Sequence, residues 1–150
     1  MVHLITANEV INIAFIGEEQ MKSSNIKDSH IDIAEKKYII PIIGKEMFDA
    51  ILADKYADIL ALLKPPLAFF IRHIILPDLS LSVTNMGVFQ NSTDYSQSVS
   101  NEQRRVILQR ALDNGQTLLN NVKEYLDENY ENYPEYIKKC KTLILGGIVL

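Results

Sequence analysis

The sequence predicts an all-α protein: a helical bundle around one long helix at about 100–130, with a long polar loop at about 85–99 and an apolar C-terminal tail. Three observations carry that expectation. Leu108, Leu112, Gly115, Leu119, Val122 and Leu126 recur at alternating spacings of four and three, with Ile107, Ala111, Leu118 and Tyr125 widening the seam into a core-facing stripe. Thr6 with Glu9 and Ser100 with Gln103 have the spacing of a capping box, in which side chains satisfy orphan N–H groups at a helix start. The remaining apolar residues keep the helical period, interrupted by proline, glycine or polar stretches. At 1.5 Å per residue the long helix spans roughly 45 Å, so shorter segments are expected to pack along it.

Taken in order, a first short helix opens at Thr6, buries Val10, Ile13, Ala14 and Ile16, and closes at Gly17. Residues 17–27 form a polar connection. A second helix begins at Asp28 or Ser29 and carries Ile31, Ala34, Tyr38 and Ile42 on one side, with Asp32 and Lys36 paired on the wet face. Pro41 removes one helical N–H and Gly44 ends the run. A helix from Lys45 buries Met47, Phe48, Ile51 and Leu52, and another covers 58–63, stopped by Lys64-Pro65-Pro66. Pro66 then starts a helix over 67–79, apolar on nearly every side and therefore central in the bundle, with Pro77 bending or ending it. Residues 85–99, rich in Ser, Thr, Asn and Gln, form an excursion longer than most connections in compact domains. After the long helix, Pro134 opens a last short helix, and 142–150 is a terminal tail.

With 150 residues, 47% hydrophobic content and mean hydropathy near zero, the chain suits one domain with a real core. The expected division is a helical domain over 1–141 and a docking tail over 142–150. The longest uninterrupted apolar runs, 38–43 and 143–149, fall short of the roughly 18 residues a spanning helix needs, and no membrane span is expected. The N-terminus places Asn8, Glu9 and Asn12 where a signal peptide is apolar. Cys140 has no cysteine to pair with, which suits a reducing compartment such as the cytoplasm. Asn91-Ser92-Thr93, an acceptor-like tripeptide, is then simply a polar loop. A net charge of −4 and pI near 5.3 argue against a protein that grips nucleic acid by counterion release.

Signatures of phosphate, nucleotide, acyl-transfer and zinc chemistry are missing from the sequence, and no enzyme is expected. His30, between Asp28 and Asp32, resembles a metal cluster only on paper, because a capped helix start accounts for all three. His73 beside Arg72 fits a hydrogen-bonded or interface histidine. Cys140, flanked by lysines, lacks a partner that would make it a nucleophile. No catalytic, cofactor or metal-binding residue is assigned.

Two stretches stand out. Asp127, Glu128, Glu131 and Glu135 end the long helix in acid, interleaved with Tyr125, Tyr130, Tyr133 and Tyr136, a composition that first of all fits a solvated face. The tail holds Leu143, Ile144, Leu145, Ile148, Val149 and Leu150 around a Gly-Gly pair; left in water it invites aggregation, so it must be buried in its own fold or in a partner.

The run Ile31-Asp32-Ile33-Ala34-Glu35-Lys36-Lys37-Tyr38-Ile39-Ile40-Pro41-Ile42-Ile43-Gly44, then Phe48-Asp49 and Leu52, a central apolar helix, Asn85-Met86-Gly87-Val88 and a long capped helix ending near Tyr133-Pro134 make an ordered set. In that order and spacing the chain resembles the small helical head-to-tail connector (adaptor) proteins of tailed bacteriophages, especially those infecting Bacteroidetes hosts. The resemblance implies a virion neck protein, made in the host cytoplasm, that forms a homo-oligomeric ring of about twelve copies through heterologous interfaces beneath the portal. It implies no cofactor. It also implies a portal-docking role for Leu143, Ile144, Leu145, Ile148, Val149 and Leu150, and an inter-ring role, toward the next neck or tail protein, for Met86, Val88, Phe89 and Tyr95. Asp127, Glu128 and Glu131 become candidates for an acidic channel face along which DNA passes without specific binding. A competing expectation, from a different class, is a small cytosolic helical regulatory or immunity-type module that binds one partner protein.

Overall fold

The computed structural model describes residues 2–18, 21–87 and 101–137, and of 80–87 and 101 the backbone only. Among the described residues every regular element is helical: α1 (Ala7–Ala14), α2 (Asp28–Ala34), α3 (Ile40–Ile43), α4 (Lys45–Leu52), α5 (Ala57–Gly87) and α6 (Asn101–Glu128), with a π turn at Glu35–Ile39 and 3-10 turns at Ser23–Asn25 and Tyr130–Asn132. The protein is all-α, and the long helix expected at 100–130 is α6.

Local signals explain most boundaries. The Thr6 and Glu9 capping box is formed, with the Thr6 hydroxyl accepting from the Glu9 N–H and the Glu9 carboxylate accepting from the Thr6 N–H at 2.9 Å. Within α1, Val10 and Ala14 are buried, but Ile16 is 78% exposed, because the chain has already left the helix at Phe15. The Asp32–Lys36 pair stands at 3.0 Å. Gly44 ends α3 with φ +89° and ψ 154°, a conformation essentially reserved for glycine. Between α2 and α3 the Ile40 N–H reaches back five residues to the Glu35 carbonyl. The widened turn makes room for Pro41, whose ring would otherwise press on the Lys37 carbonyl.

The largest departure from expectation is α5. The sequence reading broke the chain at Lys64-Pro65-Pro66, whereas one helix of 31 residues runs through Pro65, Pro66 and Pro77. Two carbonyls lose their helical donors at the first pair, those of Ala61 and Leu62, and both residues are exposed, so water can serve them. Packing supplies the rest: Ile59, Leu63, Leu67, Ala68, Phe70 and Ile71 are fully buried, and α5 touches α1, α2, the π turn, α4 and α6. Undivided, the stretch Ala57–Leu79 contains an 18-residue window with a mean hydropathy of 1.7 and is by length and composition apolar enough to cross a bilayer, a property hidden when the prolines are taken as breaks. It also carries Asp58, Lys64, Arg72 and His73, each bonded to another element of the domain, as a core helix would.

α6 runs antiparallel to α5. His73 Nδ1–H donates to the Leu108 carbonyl at 2.8 Å near one end, and Tyr133, just past α6, donates to Asp58 at the other. Between them Phe70 lies against Gly115, where a Cβ would come within 2.8 Å of its ring, and Tyr38 stacks on Phe70 at 4.2 Å and 4°. Glycine in the seam thus lets a buried aromatic ring sit directly on the α6 backbone. Leu119, Val122 and Leu126 continue the buried stripe, while Ile107 and Tyr125, at 40% and 39% exposure, lie at its edges rather than within it. Pro134 and Glu135 form a turn rather than the start of a helix. α5 extends through Asn85, Met86 and Gly87, so these three residues are helical rather than the start of an excursion; 88–99, Ser100 and Cys140 lie outside the described residues.

Candidate functional site

The polar clusters inside the domain act as fasteners. Glu35, 2% exposed, accepts from the Leu4 N–H at 2.7 Å and bonds His3 Nδ1 at 2.7 Å, pinning the N-terminal segment to the π turn. Arg72 donates to the Ala14 carbonyl at 3.1 Å and to Glu18 at 2.6 Å while covering the Phe15 ring, which closes the end of α1. Lys64 holds Glu9 at 2.6 Å, and this bond keeps the Glu9 carboxyl below the usual carboxylate range. His30 accepts from the Lys27 N–H at 3.0 Å through Nδ1 and turns Nε2 toward Asp78 at 3.4 Å. No group of three or more metal-ligating side chains occurs among the described residues.

The segment after α6 folds back as a clasp. Tyr133 donates to Asp58 at 2.5 Å, Tyr136 to Asp127 at 2.6 Å, and Tyr56 to Glu135 at 2.7 Å, with Lys55 also on Glu135. Burial first, and the facing carboxylates second, push the Tyr133 and Tyr136 hydroxyls well above the ordinary tyrosine range. Lys55 and then Tyr56 lower Glu135. Hydroxyls so firmly protonated act as donors that lock geometry, not as nucleophiles. Sequence reasoning placed these tyrosines on a solvated acidic face; Tyr133 and Tyr136 are instead 5% and 4% exposed. The partner of Tyr133, Asp58, lies 75 residues away, and no local pattern points to it.

Of the candidate channel residues, Asp127 is 11% exposed and bonded to Lys123 and Tyr136, whereas Glu128 and Glu131 face solvent. Glu128 ends α6 at its negative pole, and the last turn holds no basic residue. Such a placement opposes the helix dipole by about 0.3–1 kcal/mol at the surface. Met86 sits in the last turn of α5, and its side chain lies outside the described residues, as do Val88, Phe89 and Tyr95. The docking-tail residues Leu143, Ile144, Leu145, Ile148, Val149 and Leu150 also lie outside them.

A shallow depression of about 300 Å³, lined by Ile42, Lys45, Glu46, Glu135 and Ile137, has no convergent set of reactive groups. At the start of α6 every residue from 102 to 107 is exposed, including Val106 at 51% and Ile107 at 40%. The first two turns of α6 therefore carry exposed apolar side chains. No curated protein and no solved structure matches the chain. Residues 17–143 of the 150 match the model of a family of unknown function, DUF6712, and the protein belongs to that family.

Proposed function

We propose that the protein is a structural subunit of a tailed-bacteriophage neck, a head-to-tail connector that assembles as a ring between the portal and the next neck or tail protein and prolongs the DNA channel. The observation that carries the reading is the beginning of α6: a helix that is anchored at its far end by the tyrosine clasp and leaves Val106 and Ile107 uncovered at its near end. A rigid stem with an apolar end suits a subunit whose partners are proteins. The internal use of the polar clusters, the negative net charge and the ordered resemblance described above point the same way. Solvent-facing Glu128 and Glu131 suit a wall that repels DNA.

The test is co-expression with the portal protein of a phage that carries this gene, followed by affinity capture and electron microscopy. Rings of this chain seated on portal are expected. A chain that stays monomeric or dimeric and fails to capture portal would overturn the reading and favour a regulatory module.

A further inference from the structure

On the solvent side of α6, opposite the buried stripe, Val106, Arg110, Asp113, Thr117, Asn121, Glu124 and Glu128 follow one another at helical spacing, and all are exposed. The row has a direction. A cation, Arg110, stands toward its start, with Asp113 one turn on and accepting from the Gln109 amide at 2.9 Å; two carboxylates, Glu124 and Glu128, close the row, and Thr117 and Asn121 between are small or polar. Arg110, Glu124 and Glu128 form no ion pair with a described residue, whereas Lys123 and Asp127, one step off the row, are paired with each other at 2.8 Å. Arg110 and Glu124 each lie seven residues from Thr117.

That symmetry has a consequence. A helix laid antiparallel across α6, related by a two-fold axis through Thr117, sets Arg110 of each copy against Glu124 of the other. Glu128 then stands one turn further along, within reach of the same guanidinium, and Asp113 faces Asn121. The short Thr117 side chains meet at the centre, where the helices come closest. Both halves of the complementary charge pattern are on one face of one helix, so the face fits its own reverse, the signature of an isologous contact. We infer that this face of α6 pairs antiparallel with α6 of a second copy of the chain.

The extent of the pair sets its strength. A 28-residue helix is about 42 Å long, and a strip about 10 Å wide along it covers on the order of 400 Å² per copy. Stable interfaces bury about twice that per partner, so the pair is concentration-dependent and weakened by salt. It is separate from the connector reading, since ring neighbours meet through two different surfaces and this contact uses one surface twice.

Sedimentation equilibrium of the full chain at low and high salt tests the inference. A monomer–dimer equilibrium is expected, with association weakened about tenfold or more by Arg110→Glu or by Glu124→Arg alone, since each sets like charges opposite one another. The double variant Arg110→Glu/Glu124→Arg recreates the pairing in reverse and is expected to recover dimerisation to within about threefold of the parent. Thermal melting verifies that each variant is folded, as substitutions of exposed residues should be. A chain monomeric at concentrations on the order of 1 mM in low salt overturns the inference. So does association indifferent to the single reversals, or a double variant no better than either single one.

Discussion

α5 and α6 are nearly equal in length, lie side by side and are held together by opposite means. α6 is a helix by its own local rules: an apolar stripe on one face, polar residues on the other and no proline. α5 breaks those rules at Pro65, Pro66 and Pro77 and is apolar almost all round, yet it is the element that most others touch. An interior proline costs about 3 kcal/mol of helix stability. Burying one large aliphatic side chain returns about 1.5–3 kcal/mol, and α5 buries many. Propensity shapes the helix at the edge of the core, and packing overrules it at the centre.

The contrast is easiest to break in the shared seam. Ile71→Asp in α5 and Leu119→Asp in α6 each bury an unpaired carboxylate, with an expected loss of several kcal/mol and an unfolded or barely folded chain by circular dichroism. Val106→Asp, on the exposed start of α6, should move stability by no more than about 0.5 kcal/mol. Equal melting temperatures for Leu119→Asp and Val106→Asp would sink the distinction.

Next in size is Gly115→Ala. By helix propensity alone it should stabilise α6 by about 1 kcal/mol. The new Cβ meets the buried Phe70 ring, which is also stacked with Tyr38, and overpacking of this kind costs about 1–3 kcal/mol. A net fall in melting temperature is expected; a rise would show that the seam is looser than the stack implies.

Tyr133→Phe removes the donor to Asp58 and should cost about 1–2 kcal/mol in denaturant titration. The same substitution has a pH signature. Because the folded-state pKa of Tyr133 is raised, its contribution is complete below the unfolded value near 10 and is lost as pH climbs above it. The parent should therefore lose stability above pH 10 more steeply than Tyr133→Phe. Parallel curves would mean the hydroxyl bond contributes nothing.

The smallest effect tests the centre of the argument. Pro65→Ala restores a donor to the Ala61 carbonyl, and since that residue is exposed and open to water, the gain should be about 1 kcal/mol or less. A larger gain would mean that α5 carries real strain at its proline pair.

How far the fold could be read from sequence follows the same division. The capping box at Thr6, the stop at Gly44, the ion pair of Asp32 with Lys36 and the stripe of α6 are set by neighbours within four residues, and all were legible. The unity of α5 was not, since the rule that proline ends a helix is local and the packing that overrides it is not. The clasp was half legible. Four tyrosines among four acids marked 125–136 as unusual, but a solvated face and a locked corner share that composition, and only Asp58 and Tyr56, far away in the chain, decide between them. The candidate surfaces at 88–99 and 142–150 lie outside the described residues, so the partner surface now argued from geometry is a different one, on α6.

The π turn between α2 and α3 also acts as a gear. Each residue advances an α-helix by about 100°, so a turn holding one residue more than usual resets the phase of everything after it. Glu35, Ile39 and Ile43 follow at intervals of four, and all three point inward, an alignment that drifts in an uninterrupted α-helix. Removing any one residue from 35–39 would close the wide turn, rotate Ile43 off the core and carry Gly44 away from the corner its conformation serves. In this stretch the count of residues is itself part of the fold, independent of which residues they are.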